Sequence, residues 1–346
     1  MRSISRRDFL KLFGLAAGGM VFTPFLPPFN EFEDRYRVRV ATKSVSVYSK
    51  PDDTSSIIET WDRDSLITIY DEVNSGTPAY NPIWYRVWGG YMHRARLQKV
   101  NVLYNEPLSI IPEGTRQLGE VTVPYAQVMR YTRAYGWQPL DFRLYYESVH
   151  WMDRIDEGPD GHPWYRIYDE LVSVPYHVPA IHMHPIPPEE LDAISPDVPF
   201  ESKRIEVNLT TQVLTAYEYD QVALQTKISS GIVAGRYTLK ELSTKTPNGE
   251  FHIEEKMPSK HMGDGNLAAD IDDYELPGVP WTCFFTDVGH AFHGTYWHDN
   301  FGNPMSHGCI NMQTPDAKWL FRWARPPHKA DAIFNRGFGT LAKIFY

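Results

Sequence analysis

Only two cysteines, Cys283 and Cys309, occur in the 346 residues, so a disulfide-stapled framework is excluded and one bridge is the maximum. Neither C-x-x-C nor H-E-x-x-H occurs, which removes the commonest zinc signatures although the chain holds 13 histidines. Cations are outnumbered, 34 Lys and Arg against 43 Asp and Glu, and a net charge of −9 offers no basic footprint for nucleic-acid phosphates. Beyond the amino terminus no apolar run approaches the roughly 20 residues that a spanning helix needs. Glycine (23) is scarcer than proline (27), and prolines so widely scattered leave little room for long helices. Aromatic residues, in contrast, are plentiful: 21 Tyr, 17 Phe and 10 Trp. With 42% apolar and 22% charged residues the composition is globular. The length suggests two or three domains. A mainly β, turn-rich protein is expected.

The amino terminus reads Ser5-Arg6-Arg7-Asp8-Phe9-Leu10-Lys11 and then runs through a short, Gly-softened apolar stretch to Phe22. Arg2, Arg6, Arg7 and Lys11 all precede the apolar run instead of lining one face of it, which disfavours an amphipathic first helix. The pattern is that of a twin-arginine export signal over residues 1–30. It implies the twin-arginine export machinery as a partner. The expected location is the periplasm, the cell wall or the outer face of the cytoplasmic membrane. No clear small-x-small site precedes Pro27-Pro28, so cleavage and retention as an anchor both stay open.

Residues 36–101 carry short strands punctuated by turns: Val38, Val40, Val45 and Val47 at β spacing, then residues 66–70 and 84–88 around loops at 49–53 and 74–78. They resemble the small bacterial Src-homology-3-like barrels attached to many cell-wall proteins. The string Asn81-Pro82-Ile83-Trp84-Tyr85-Arg86-Val87 has an echo in Gly161-His162-Pro163-Trp164-Tyr165-Arg166-Ile167, so a second copy is expected over residues 118–190. The Trp-Tyr-Arg strings read as barrel core more readily than as a carbohydrate platform. Residues 185–199 hold five prolines and read as a stiff linker, from which an independently folding unit over 200–346 is expected. That unit opens with Ile205, Val207 and Leu209 alternating with polar residues. Strands follow at 213–217, 222–228 and 251–253, then a hairpin of 281–286 with 291–295. Thr314-Pro315 reads as a helix start with Thr as cap. Residues 254–278, rich in Met, Gly and Asp, read as either a lid or an ordered insertion.

Chemistry concentrates between Phe292 and Met312. A thiol is a competent nucleophile only as thiolate, and a nearby imidazole both deprotonates it and stabilises the pair. His293 closes a strand and Cys309 follows a loop that can fold back. Gly308 lets backbone N–H groups approach a substrate oxyanion. Cys283, inside an apolar strand, reads as inert core. A Cys283–Cys309 disulfide would consume the nucleophile. His290, His293, His298 and His307 cluster in sequence, and His162, His177, His182 and His184 form a second group. No metal site is expected from either, since a regular strand puts His290 and His293 on opposite faces.

The string His293-Gly294-Thr295, then, with twelve residues between His293 and Ser306, Ser306-His307-Gly308-Cys309-Ile310-Asn311, resembles the L,D-transpeptidase catalytic domain, whose signature is H-G-T, a spacer, then S-H-G-C-[IV]-[RN]. Residues 208–212, Ser229-Ser230-Gly231 and Thr246-Pro247-Asn248-Gly249-Glu250-Phe251 resemble further elements of that family. The resemblance covers about residues 200–346 and implies a β-sandwich-like catalytic domain with a short helix. It implies Cys309 as nucleophile, His293 as general base and later acid, and the Gly294 carbonyl as orienter of the second imidazole nitrogen. Backbone N–H groups around His307, Gly308 and Cys309 would hold the oxyanion, while Ser306, His307 and Asn311 shape the loop and contact substrate. The implied partners are peptidoglycan stem peptides, with a carbapenem adduct on the thiol and no cofactor. Transfer to an amine, hydrolysis as an L,D-carboxypeptidase, and a non-catalytic wall-binding scaffold are the alternatives that the residues leave open.

Overall fold

The computed structural model describes residues 37–232, 243–265 and 275–346, so the export segment over 1–30 lies outside the described residues. The first eight strands are β1 (Arg37–Val40), β2 (Ser44–Tyr48), β3 (Ile57–Asp62), β4 (Leu66–Thr68), β5 (Asp71–Asn74), β6 (Ile83–Val87), β7 (Gly90–His93) and β8 (Leu97–Val100). They build a three-stranded sheet, β4-β1-β8, and a five-stranded one, β3-β2-β7-β6-β5. Val38, Val40, Val47, Tyr85 and Met92 fill the core between them. Arg39, on the other face of β1, is also buried, which simple alternation does not predict. Its guanidinium pairs with Asp64 at 3.1 Å and donates to Gln98 at 2.9 Å, because that face is covered by a later part of the chain.

The next seven strands repeat the scheme: β9 (Gln117–Val121), β10 (Tyr125–Thr132), β11 (Gly136–Tyr145), β12 (Val149–Glu157), β13 (Pro163–Tyr168), β14 (Tyr176–Pro179) and β15 (Met183–Pro185). β1 pairs with β4 and β8, as β9 pairs with β12 and β15; β2 pairs with β3 and β7, as β10 pairs with β11 and β14. The echoed strings fall on β6 and β13, each bearing a buried Trp-Tyr pair and each followed by a strand, a 3-10 turn and a last strand. The break at Ile69-Tyr70 splits in the first unit what is one long strand, β12, in the second. Closed small barrels were expected. Among the described residues no ladder closes either unit, since β3, β8, β11 and β15 all end their sheets as edges.

The remaining strands are β16 (Lys203–Asn208), β17 (Val213–Glu218), β18 (Gln221–Lys227), β19 (Gly249–His252), β20 (Glu255–Met262), β21 (Leu276–Phe284), β22 (Ala291–Gly294) and β23 (Ile310–Met312). Helix α1 (Thr314–Trp323) follows, then β24 (Asn335–Arg336) and β25 (Leu341–Phe345). Two five-stranded sheets result, β18-β17-β16-β25-β19 and β23-β22-β21-β20-β24. Ile205, Val207 and Leu214 from the first meet Trp281, Phe292 and Ile310 from the second, with Leu320 and Phe321 of α1 joining the same core. Thr314 does not cap the helix: Gln313 occupies the cap and Thr314 is buried in the first turn. At the other end, Lys256 Nζ donates to Ala324 O and Pro326 O, each at 2.8 Å, and Lys203 Nζ to Trp323 O at 3.0 Å. Two buried ammonium groups thus satisfy carbonyls that the helix leaves unpaired.

The stretch 185–199 is not a free spacer. Ile186 and Leu191 are buried in the core that the last two sheets share with α1, Glu190 pairs with Lys318, and Arg322 Nε donates to Asp192 O at 2.9 Å. Leu118, Val149 and Trp151 of the second unit belong to that core as well. Apolar side chains between the prolines give the stretch a reason to dock along α1, and the burial outweighs its stiffness. Within 254–278, the described residues form the β20–β21 hairpin arm. It is clasped to the second unit by His261, whose Nδ1 lies 2.8 Å from Asp169 and Nε2 3.1 Å from Glu275. Burial opposes the charge on His261, but the two carboxylates prevail and raise its pKa.

Candidate active site

β22 and β23 run parallel, with Phe292 opposite Ile310, His293 opposite Asn311 and Gly294 opposite Met312. Side chains alternate across a strand, so Phe292, Ile310 and Met312 enter the core. His293 and Asn311 are left together on the other face, and Cys309 sits in the bend that leads into β23. The His293 ring is held by its Nδ1–H, which donates to Gly294 O at 2.9 Å and leaves the lone pair on Nε2. Trp297 lies against that ring at 5.8 Å.

The turn before Cys309 is tied down from three sides. Gly308 has φ +119°, and a Cβ there would lie 2.9 Å from Cδ2 of His290, so only glycine fits. Thr246 Oγ1 donates to Gly308 O at 2.9 Å and accepts from Gly231 N at 2.8 Å, linking two sequence-distant motifs through one hydroxyl. Gly231 bridges Ser306, and Ser229 exchanges both backbone hydrogen bonds with Asn311 at 2.9 Å. Ser306 Oγ donates to Cys309 O and accepts from Gly308 N at 3.1 Å. Gly308 N–H, expected among the oxyanion donors, is therefore engaged by Ser306 in this structure.

The loop between His293 and Ser306 is held by the first unit. Arg39 Nη2 donates to Tyr296 O at 2.9 Å, Arg94 reaches Asn300 Oδ1 and Phe301 O at 3.1 Å each, and Asp299 N donates to Leu97 O at 3.0 Å. This is what covers the second face of β1.

Residues 202–331 match the model of the YkuD family, the L,D-transpeptidase catalytic domain. The chain carries an L,D-transpeptidase-like catalytic domain. Among solved structures it is similar to an L,D-transpeptidase from Xylanimonas cellulosilytica, with 24% identity over 41% of this chain and 60% of that one and a TM-score of 0.30. A cysteine-to-serine variant of the Enterococcus faecium L,D-transpeptidase matches at 26% identity over 42% of this chain and 50% of that one, TM-score 0.31. An L,D-transpeptidase from Mycobacterium smegmatis matches at 14% identity over 76% of this chain and 89% of that one, TM-score 0.31. The chain thus spans only 60% and 50% of the first two. No curated protein matches it.

In this L,D-transpeptidase-like domain both cysteines are free thiols. Cys283, on β21 beside β22, is fully buried, and burial pushes its thiol up to about 12. Cys309 is 8% exposed. Its Sγ donates to Gly289 O at 3.7 Å, and among the described residues no hydrogen bond joins it to the His293 ring. Burial pushes the Cys309 thiol up to about 11, against the opposing hydrogen bond from Ala291 N–H. Burial likewise pushes His293 down to about 4, which its bond to Gly294 O only partly counters. Burial thus opposes the thiolate of Cys309 and the imidazolium of His293 alike.

A pH dependence follows. In a Cys283→Ala background, the rate of Cys309 alkylation by iodoacetamide should climb with pH up to about 11, the raised thiol pKa. A step in that rate between pH 6 and about 8, near the ordinary imidazole value, would mean a preformed ion pair.

Four contributors are not legible as such in sequence. Thr246 was noted only within its motif, not as the bridge between Gly231 and Gly308. His290 precedes β22 and escapes the alternation argument that set it apart from His293; it packs against Gly308. Arg39 and Arg94 sit 257 and 206 residues before their partners in the loop that they hold. Among the described residues no three His, Cys, Asp or Glu side chains converge as a metal ion requires.

Proposed function

We propose that the protein is an exported, cysteine-dependent L,D-transpeptidase acting on peptidoglycan stem tetrapeptides. The observation that supports the reading is the pairing of β22 with β23, which sets His293 opposite Asn311, two residues after Cys309, with Gly294 O leaving the lone pair on His293 Nε2. As Sγ attacks the carbonyl of the L,D bond, its proton passes to Nε2. The tetrahedral oxyanion would be held by the backbone N–H groups of His307 and Cys309, since that of Gly308 is engaged by Ser306. Collapse breaks the C–N bond, and Nε2–H returns the proton to the departing D-amino acid, leaving a thioester on Cys309. An amine of a second stem attacks the thioester, gives its proton to His293 and restores the thiol with a new amide bond. Water in place of the amine makes the same site an L,D-carboxypeptidase. Ser306 and His307 shape the turn and meet substrate. The repeated strand order over 36–101 and 118–190 supports two Src-homology-3-like units that place the catalytic domain on the wall.

Incubation of the full chain with a carbapenem, followed by intact-mass analysis, tests this reading. One adduct per chain on the Cys309 peptide is expected. An unmodified mass after prolonged incubation, with the protein still folded, would defeat it.

A further inference from the structure

Each ring nitrogen of His261 faces a carboxylate, Nδ1 at 2.8 Å from Asp169 and Nε2 at 3.1 Å from Glu275, and the three side chains are at most 5% exposed. A neutral imidazole carries one N–H and one lone pair, so it can donate to only one of the two. The other carboxylate would then meet a lone pair where no water screens the repulsion. The imidazolium alone donates on both sides. Asp169 is fixed as an acceptor by Leu171 N–H at 2.9 Å, Val172 N–H at 3.2 Å and Tyr176 OH at 3.2 Å. Glu275 accepts from Asp264 N–H at 2.7 Å through its other oxygen. The remaining groups around the ring have other tasks. Glu170 accepts from Lys260 Nζ at 3.0 Å and from His261 N–H at 2.7 Å. Burial keeps His150 of β12 neutral, at about 3, and holds Tyr176 as the phenol. Arg63 lines the same cavity as Glu275.

The clasp joins parts that are distant in the chain. Asp169 follows β13 in the second unit, while His261 lies on β20 and Glu275 directly precedes β21. The arm is shaped to that unit on both sides of the clasp. Gly278, with φ +70°, makes room for the His150 ring, which a Cβ would meet at 2.1 Å, and a Cβ on Gly265 would lie 2.9 Å from Leu171. From the arm the path to the site is short. Pro277 O accepts from Tyr296 OH at 2.9 Å, and Leu276 and Val279 share a buried cluster with Tyr296 and Trp297. Trp297 lies in turn against the His293 ring. We propose that the Asp169–His261–Glu275 clasp is a pH-operated latch: the charged imidazole holds the β20–β21 arm on the second unit, and its deprotonation in alkaline solution loosens the arm and, through Tyr296 and Trp297, the seat of His293. Burial works against the charge on His261, but Asp169 and then Glu275 raise its pKa above the ordinary imidazole value. A raised folded-state pKa makes the latch fully effective below the ordinary value and ineffective once pH has risen through the higher one. The latch concerns where the arm sits, so it is independent of the acyl-transfer reading.

Nitrogen-detected NMR of the full chain, with His261→Gln to assign the signals, reads the ring directly. Both nitrogens should carry protons at about pH 6.5, the ordinary imidazole value, and one proton should leave only at higher pH. Hydrogen exchange of the same chain, corrected for the chemical exchange rate at each pH, reads the arm. Peptides covering 257–262 and 276–280 should lose about ten- to a hundredfold of their protection as His261 deprotonates, the worth of one charge-assisted hydrogen bond, while β16 keeps its own. In Glu275→Gln the carboxamide can donate to a neutral ring or accept from it, so the step in arm protection should vanish. His261→Gln should show no step either. A ring protonated on one nitrogen alone at about pH 6 would overturn the proposal. So would a ring that titrates while arm protection stays constant, a step of undiminished size in Glu275→Gln, or a loss of protection shared equally by β16. Absence of a carbapenem adduct would defeat the proposed function and leave every one of these readouts intact.

Discussion

Cys309→Ala should abolish the carbapenem adduct and all release of D-amino acid, while Cys283→Ala retains both. The two thiols are chemically alike and both buried, so the difference lies in what surrounds them. Cys283, on β21, pairs with Phe292 of β22 on the core side of the sheet, where burial holds the thiol at about 12 against the opposing pull of the Lys256 ammonium. Cys309 leads into β23, where Asn311 lies opposite His293, whose Nδ1–H is taken by Gly294 O and whose lone pair is on Nε2. Cys309→Ala should melt close to the parent, because only a small side chain near the surface of the core is lost. Cys283→Ala leaves a small cavity that costs about 1 kcal/mol. His293→Ala should lower acylation by about 10²–10⁴-fold, the usual worth of a general base. His307→Ala should fall mainly on handling of stem peptides. Intact-mass time courses on the four variants, each checked for a cooperative melt, read all of these outcomes. Equal losses from Cys309→Ala and Cys283→Ala would point to a shared structural role instead of a nucleophile.

A fragment of residues 200–346 should not fold as a monomer. Leu118, Val149, Trp151, Ile186 and Leu191 all lie before its start, yet all are buried in the core that the two catalytic sheets and α1 share. Each large apolar side chain is worth about 1.5–3 kcal/mol when buried. Losing five of them removes about 10 kcal/mol, comparable to the whole stability of about 5–15 kcal/mol of a typical domain. The arm would also lose its clasp, since Asp169 lies in the second unit, and the loop at 295–306 would lose Arg39 and Arg94. An amide-proton spectrum of the fragment should be poorly dispersed, without a cooperative thermal transition. A longer fragment, residues 102–346, should keep the core and fold, with loosened loop geometry as its only large defect. A well-dispersed spectrum from 200–346 would show that the shared core is not needed and that the prolines at 185–199 mark a true boundary.

Much of the molecule was decided locally and is therefore legible in the sequence. Alternation places Ile205 and Val207 inward on β16, and the turn chemistry around Asp287-Val288-Gly289 sets the β21–β22 hairpin. Glycine at 308 is demanded by a backbone conformation that other residues resist, and the H-G-T and S-H-G-C strings sit where a strand end and a tight turn need them. The echo between residues 81–87 and 161–167 marks equivalent strands of two units with one pairing scheme.

Tertiary structure decided what depends on partners far apart in the chain. A proline-rich stretch is stiff in isolation, and whether it spans solvent or docks depends on the groove that α1 offers to Ile186 and Leu191. The spacing of His293 and Cys309 can suggest an ion pair, but the protonation state follows from burial, which no local pattern encodes. Arg39 reads as an exposed strand residue until the loop at 295–306 covers it. His261 reads as one histidine among several, and only Asp169 and Glu275, brought to its two nitrogens by the fold, make its charge matter. Periodicity reports which face of an element is apolar, whereas desolvation and hydrogen-bond direction are properties of the assembled neighbourhood.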